Sequence, residues 1–309
     1  MKVTIFGGSG YVGSYLIDEL LEKRHHPVLL TRSESHHKVN QRQQCTLIDG
    51  DIADPEAVRA AVRGADAVIY NIGILREFPA KGVTYQALHF EGAKRAMGAA
   101  EDSGVHRFFL MSANGVKADG TGYQRTKYMA EQYLKTTSLQ WTVFRPSVLF
   151  GDPRGRMEFA TQLYRDIIRS PLPAPLFYAG LLPFNAGMFR MSPVHVKDIA
   201  TVFVKALDMP ETAGQIYELC GPEALSWKDI LQMIAAAAGT TKRALPAPAL
   251  LLKVLAVALD QYAFFPITRD QLTMLMEGNT CGGQDAFQIF GLEPAPFDTT
   301  RLSYLQDDD

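Results

Sequence analysis

The chain opens MKVTIFGGSGYVG, and the glycines at 7, 10 and 13 of that stretch constrain the fold more than anything that follows. Val3, Ile5 and Phe6 form a short apolar run of the kind a buried strand carries. Behind the glycines the pattern turns helical, with Tyr15, Leu16, Leu20 and Leu21 on one side and Asp18, Glu19 and Glu22 elsewhere. A strand, a glycine turn and a helix start bring free backbone N–H groups to the positive end of a helix dipole, where a pyrophosphate sits. The spacing Gly7-x-x-Gly10-x-x-Gly13 is a tighter relative of the dinucleotide fingerprint. Gly7 permits the turn, Gly10 lets phosphates approach, and Gly13 lets helix and strand pack closely. The candidate cradle is Gly7, Ser9, Gly10, Tyr11, Val12 and Gly13.

Further strands are expected at 27–30, 46–48, 67–70, 107–111 and 141–145, with helices between them. Asp54-Pro55-Glu56 reads as one helix start, with a cap, a proline at the first position and an early acid. This alternation predicts an α/β fold with a doubly wound parallel sheet, whose sites lie at the C-terminal strand ends. Thr31-Arg32-Ser33, Asp51-Ile52, Asn71-Ile72-Gly73 and Ser112 all fall there. An NAD-binding chain of this layout places an acid after the second strand to hold the ribose 2′-hydroxyl. Here Arg32 and Ser33 stand instead, a guanidinium fork beside a hydroxyl, which favours NADP(H) over NAD(H). Asp51 and Ile52 are expected to flank the adenine, and Asn71 to Gly73 to face the cofactor's far half.

Tyr123 and Lys127 are spaced i, i+4 and share one helix face. A cation near a phenol lowers its pKa from about 10. Tyr123 is then the candidate acid/base for a carbonyl oxygen, Ser112 a second hydrogen-bond partner of that oxygen, and Lys127 a holder of the nicotinamide ribose.

Composition narrows the partners. Net charge is −2 with no basic block, which argues against nucleic acid. Cys45, Cys220 and Cys281 lie far apart and share no short motif, which fits reduced thiols and argues against a structural zinc site; no metal is expected. His25-His26 and His36-His37 read as surface residues. The chain begins with a strand rather than a signal segment. No charge occurs between Arg169 and Arg190, but Pro171, Pro173, Pro175 and Pro183 make this an apolar loop rather than a membrane span. From 245 to 265 the only charges are Lys253 and Asp260. That run reads either as a helix buried beneath a lid or as an apolar patch for a membrane, a partner or a prenylated quinone, and not as a transmembrane segment. Arg154, Arg156, Arg165 and Arg169 fit either a pocket for an acidic substrate or a solvated face. His195 and Asp198 begin a helix, 215–219 reads as a strand, and Ser226 to Asp229 as a capping box.

With these motifs in view, the chain resembles the short-chain dehydrogenase/reductase superfamily, in its extended or atypical branch. GGSGYVG, GDIAD, YNIG, the Ser112/Tyr123/Lys127 set and FRPSVLFG (Phe144 to Gly151) carry the resemblance. It implies a Rossmann domain over 1–150 and a small, mostly helical substrate or lid region over 151–309, with about 192–222 returning to the sheet. It also implies that Pro146 and Ser147 touch the nicotinamide amide. SPVHVKDIA, YELCGPE and PITRDQLTMLMEGN resemble bacterial relatives of the nucleotide-binding accessory subunit of respiratory complex I.

Two roles follow from the resemblance. One is an NADP-dependent reductase of the epimerase/dehydratase type, acting on an apolar, quinone-related carbonyl or alcohol. The other is a non-catalytic NADPH-bound accessory or assembly protein of a membrane-associated electron-transfer complex. Nucleotide-sugar epimerisation is a third reading, disfavoured by the short Ser112–Tyr123 segment. The location implied is cytoplasmic, or peripheral at the inner membrane. His89 stands where many active members carry a relay asparagine, and reads either as its substitute or, in preference, as a packed residue.

Overall fold

The computed structural model describes residues 1–249, 268–282 and 286–306. The first half runs β1 (Lys2–Phe6), α1 (Tyr11–Glu22), β2 (His26–Thr31), β3 (Thr46–Asp49), α2 (Pro55–Val62), β4 (Ala67–Tyr70), α3 (Gly92–Asp102), β5 (Arg107–Met111), α4 (Gly122–Leu134) and β6 (Gln140–Pro146). Then follow β7 (Leu149–Phe150), α5 (Phe159–Leu163), β8 (Ala174–Tyr178), β9 (Arg190–Met191), β10 (Val194–His195), α6 (Val196–Leu207) and β11 (Gln215–Leu219). The remainder supplies β12 (Leu225–Ser226), α7 (Trp227–Ala237), β13 (Ala244–Pro248) and α8 (Arg269–Glu277). The chain divides into two compact units. The first holds Met1–Pro146, Val196–Leu219 and the stretch ending at Glu293; the second holds Ser147–His195, the chain from Cys220 and the stretch from Pro294.

The first unit is built on a seven-stranded sheet in the order β11-β6-β5-β4-β1-β2-β3. Every neighbouring pair is parallel, with Ile5 of β1 between Leu29 of β2 and Ile69 of β4. Parallel strands are covered on both faces, which explains why Val3 to Phe6 and Ala67 to Tyr70 are buried at every position. On one face α2, α3 and α4 bring Val58, Ala61, Ala96, Met97, Ala100, Ala130 and Leu134 onto the sheet. On the other, α1 packs with α6, whose Phe203 ring lies 4.4 Å from that of Phe144. Asp54 caps α2 by accepting from the Glu56 amide, as its sequence predicts. A full capping box of Thr121 and Gln124 starts α4. Strand order reverses between β1 and β4, so the carboxyl ends of these strands form the crevice where ligands bind in such sheets.

The second unit has a core of Phe150, Tyr164, Ile168, Phe177, Trp227, Ile230 and Ile234, with short two-stranded pairs around it. Here the structure corrects three readings. The uncharged stretch between Arg169 and Arg190 is not wholly loop: Ala174–Tyr178 is β8, paired in parallel with β13. Each strand of such a pair has an open edge, so Pro175, Pro246 and Pro248 remove no ladder bond that matters. At Ser226 only half of a capping box forms. The hydroxyl accepts from the Asp229 amide but donates to the Asp229 carboxylate at 2.6 Å.

Third, Cys220 and Cys281 are joined in a disulfide across 61 residues, so only Cys45 is a free thiol. No local spacing announces that pair. Folding makes it, because the Gly221 amide donates to Ser192 and the Ser192 amide to Asn279. Of the apolar run at 245–265, the part from residue 250 on lies outside the described residues, as do 307–309.

Candidate active site

The cradle after β1 is closed to side chains. Gly7 has φ +94°, and a Cβ there would lie 3.0 Å from the Asn71 carbonyl carbon. A Cβ on Gly13 would lie 2.3 Å from the Gly7 oxygen and 2.6 Å from the Gly8 Cα. Gly10 caps α1, donates its amide to Gly7 at 3.1 Å, and supplies no side chain to the first-turn amides. No acid occupies that first turn. Helix amides and dipole therefore face the crevice with no built-in carboxylate to neutralise them, which fits a dinucleotide pyrophosphate.

At the end of β2, Thr31 is buried and Ser33 exposed. Arg32 is more than half exposed, with Nε 3.6 Å from the Glu34 carboxylate and 4.0 Å from that of Asp51. Two carboxylates, from two residues on and from just past β3, thus stand near the Arg32 guanidinium. Asp51 also accepts from the Ala53 amide, while Ile52 is buried and its carbonyl accepts from Arg95.

At the end of β4, the Asn71 amide donates to Phe6 at 2.9 Å and ties the two crevice strands together. Past Ile72 and Gly73, the Ile74 amide donates to His89 Nε2 at 3.0 Å. His89 sits in a π-helical turn (Gln86–Glu91) that leads into α3. Its Nδ1 lies 3.2 Å from Thr126 Oγ1. Since Nε2 accepts, the network assigns the proton to Nδ1. Burial, and secondarily the Lys127 charge, lowers the pKa of His89 to about 2, so the ring is neutral. It stacks on Tyr85 and meets Tyr123 edge-on at 5.1 Å.

Tyr123 and Lys127 share a face of α4, as their spacing requires, but their electrostatics differ from expectation. Lys127 Nζ lies 5.7 Å from the centre of the Tyr123 ring. Burial raises the Tyr123 pKa above its ordinary value, and no nearby charge offsets it. The expected lowering by Lys127 is therefore corrected: desolvation prevails. Burial likewise lowers Lys127 to about 8, with Glu131 pulling the other way. Nζ donates to the Met111 carbonyl at 2.9 Å and lies 3.8 Å from where a Gly73 Cβ would stand.

Ser112 is buried, and its hydroxyl donates to Glu131 at 2.5 Å. Glu131 is wholly buried and accepts from Arg145 Nε at 2.9 Å and Nη2 at 2.5 Å. Two bonds thus pin the end of β5 to α4: Lys127 to Met111 and Ser112 to Glu131. Sequence reasoning missed Glu131, Arg145, Thr126 and Glu34. Glu131 was readable, since it stands one helical turn beyond Lys127 on the same face. Pro146 closes β6 and accepts from the Asn114 amide. Ser147 belongs to the second unit, where its hydroxyl donates to Asn279. Among the described residues no group of three or more His, Cys, Asp or Glu gathers as a metal site.

A doubly wound parallel sheet with a glycine cradle at its switch point defines a dinucleotide-binding α/β protein. The NAD(P)H-binding family model matches residues 7–166, slightly more than half of the chain, and the chain belongs to that family. The mitochondrial 40 kDa subunit of NADH-ubiquinone oxidoreductase from Neurospora crassa is 26% identical over 310 residues, covering 98% of this chain and 78% of that protein. A ceramide reductase of Caulobacter vibrioides is 24% identical over 247 residues, covering 80% of this chain and 73% of that protein. The Bordetella bronchiseptica enzyme WbmH, solved with NAD+, matches with a TM-score of 0.73 at 17% identity, covering 100% of this chain and 98% of that one. Likeness at that identity is a likeness of fold. These relatives agree with the resemblance carried by the motifs.

Proposed function

We propose that the chain is an NADP(H)-dependent reductase of an apolar carbonyl compound, with Tyr123 as proton donor. The observation that carries this reading is the placement of Tyr123 and Lys127 on the face of α4 that reaches Gly73 and the end of β5. The bound dinucleotide supplies the hydride. Gly7, Ser9, Gly10, Tyr11, Val12 and Gly13 hold its pyrophosphate. Asp51 and Ile52 flank the adenine, and Asn71, Ile72, Gly73 and Pro146 border the nicotinamide half.

A phenol raised by burial stays protonated at neutral pH, which suits donation to a carbonyl oxygen more than abstraction from an alcohol. Lys127 holds the ribose and stands over the ring as that proton leaves. Ser112 already donates its hydroxyl hydrogen bond to Glu131, so it acts by fixing β5 against α4 rather than by donating to substrate. Arg32 and Ser33 receive the 2′-phosphate, with Arg32 turning from Glu34 and Asp51. The similarity to a ceramide reductase supports an apolar substrate.

One observation favours a second reading. Ser112 is committed to a buried carboxylate, and the chain is similar along nearly its whole length to a subunit of NADH-ubiquinone oxidoreductase. In that reading the chain keeps NADPH bound without turnover as part of an electron-transfer complex.

Titration of the stripped protein with NADPH and NADH tests the cofactor. NADPH should bind more tightly, and Arg32→Ala should cut that preference about tenfold. Equal or tighter NADH binding overturns the 2′-phosphate assignment. Loss of carbonyl-dependent NADPH oxidation in Tyr123→Phe, with NADPH affinity kept, supports the reductase. Tight NADPH that no carbonyl oxidises supports the second reading.

A further inference from the structure

Residues 170–189 carry no charge, and part of that stretch projects from the second unit. Between β8 and β9, Leu181 is 98% exposed and Phe184 90%, while Leu182 and Met188 are each more than half exposed. Exposed apolar side chains in sequence are uncommon unless something covers them. The base of this loop is nevertheless built. The Gly187 amide donates to Phe177 at 2.8 Å, the Trp227 amide to Phe189 at 3.0 Å and the Lys228 amide to Gly187 at 3.3 Å. Turn bonds from Ala186 to Pro183 and from Met188 to Asn185 shape its return limb. Phe177 and Phe189 stack on Trp227 beneath it, at 5.9 and 5.6 Å. The loop is thus anchored by aromatic side chains at its root and bare at its tip.

Two observations point to what covers that tip. A side chain as exposed as Leu181 or Phe184 stands on a convex point and offers a protein partner no recess of its own. A bilayer interface closes around such a point without matched shape. Second, Lys228 and Arg190 are exposed on the chain that holds the loop's base, and they outnumber the adjoining Asp229, whose carboxylate accepts from Ser226. Cations behind an apolar tip match anionic headgroups. No described helix is long and apolar enough to cross a membrane.

We propose that the loop between β8 and β9 docks on an anionic lipid bilayer, with Leu181, Leu182 and Phe184 entering the boundary between headgroups and acyl chains. The proposal stands on the second unit alone and goes beyond the cofactor chemistry.

Sedimentation of the full chain with phosphatidylcholine vesicles, with and without phosphatidylglycerol, tests it. The wild type should pellet with the anionic vesicles. The Leu181→Ser/Leu182→Ser/Phe184→Ser variant should bind them at least about tenfold more weakly. Lys228→Glu/Arg190→Glu should lose only the part of binding that depends on phosphatidylglycerol. NADPH affinity should be unchanged in both variants, which reports folding separately from docking. The proposal is overturned if the wild type stays in solution with both vesicle types, or if the triple variant pellets like the wild type. It is equally overturned if light scattering shows a wild-type oligomer that the triple variant abolishes and vesicles are not bound, since the occupant is then a second copy.

Discussion

The two units of this chain are held together in different ways. In the first, seven strands pair in one continuous parallel sheet, and residues adjacent in the ladder come from strands and helices that alternate regularly along the sequence. In the second, among the described residues, β7 pairs with β10, β9 with β12 and β8 with β13, and a disulfide joins residues 61 positions apart. The first unit draws its order from repeated burial of apolar strands. The second depends on a few long-range attachments, each of which carries more of the load. Perturbations should therefore act on one unit at a time.

The largest effect is expected from removing the covalent attachment. Closing a loop of this length restricts the unfolded chain, and its loss costs about 4 kcal/mol in the chain-entropy picture. Cys220→Ser/Cys281→Ser should strip hydrogen-exchange protection from the Ser192 and Asn279 amides, which the clamp holds in place. NADPH affinity should not change, because every cradle residue belongs to the first unit. If affinity falls in parallel with protection, the units do not behave separately and the comparison fails.

Glycine-to-alanine replacement sharpens the same contrast at closely matched chemical cost. In Gly13→Ala the new methyl would lie 2.3 Å from the Gly7 oxygen, and in Gly221→Ala 1.8 Å from the Pro193 oxygen. Forced overpacking of this kind costs about 1–3 kcal/mol. Gly13→Ala should also displace the helix start that faces the phosphates and weaken NADPH binding about a hundredfold. Gly221→Ala should lower thermal stability with NADPH binding intact. Calorimetry and a fluorescence titration on the two proteins separate these outcomes. An unaffected cradle in Gly13→Ala would remove the geometric basis for dinucleotide binding at this turn.

The same difference decides how much of the molecule its sequence discloses. The strands of the first unit follow apolar runs such as Ala67 to Tyr70, one of its helices begins at a readable cap, Asp54, and the cradle follows from three glycines. Tyr123 and Lys127 fall on one face because helical periodicity puts them there. What spacing does not encode is environment. Burial, not the neighbouring cation, governs the Tyr123 phenol, and only packing reveals it. The Ser112 hydroxyl donates to Glu131, which lies 19 residues on and is held by Arg145 from another strand. Asp51 comes within reach of Arg32 only because β3 is laid beside β2. In the second unit the pairing of Cys220 with Cys281, and of β8 with β13, leaves no periodic trace. A reading based on period therefore finds loops where short strands are joined.

The smallest effect is expected at His89, and it probes how tightly the first unit closes over its interior. Burial holds this imidazole's pKa at about 2, against an ordinary value near 6.5 in the unfolded chain. Between those values the unfolded state carries the extra proton, so stability attributable to His89 is present above about pH 6.5 and is lost as pH falls. The loss is about 1 kcal/mol over the first unit of acidification below 6.5. Native-state exchange of the Ile74 amide, which donates to His89 Nε2, reads this locally. In His89→Gln the side-chain oxygen can still accept that bond but cannot titrate. The variant should be less stable near neutrality, because the ring contacts with Tyr85 and Tyr123 are gone. Its dependence on pH between 6.5 and 5.5 should nevertheless be flatter than that of the wild type. Equal slopes would mean that water reaches the imidazole and protonates it in place. The wall of rings behind Tyr123 would then be open, and the phenol would lose the dry surroundings that raise its pKa and suit it to proton donation.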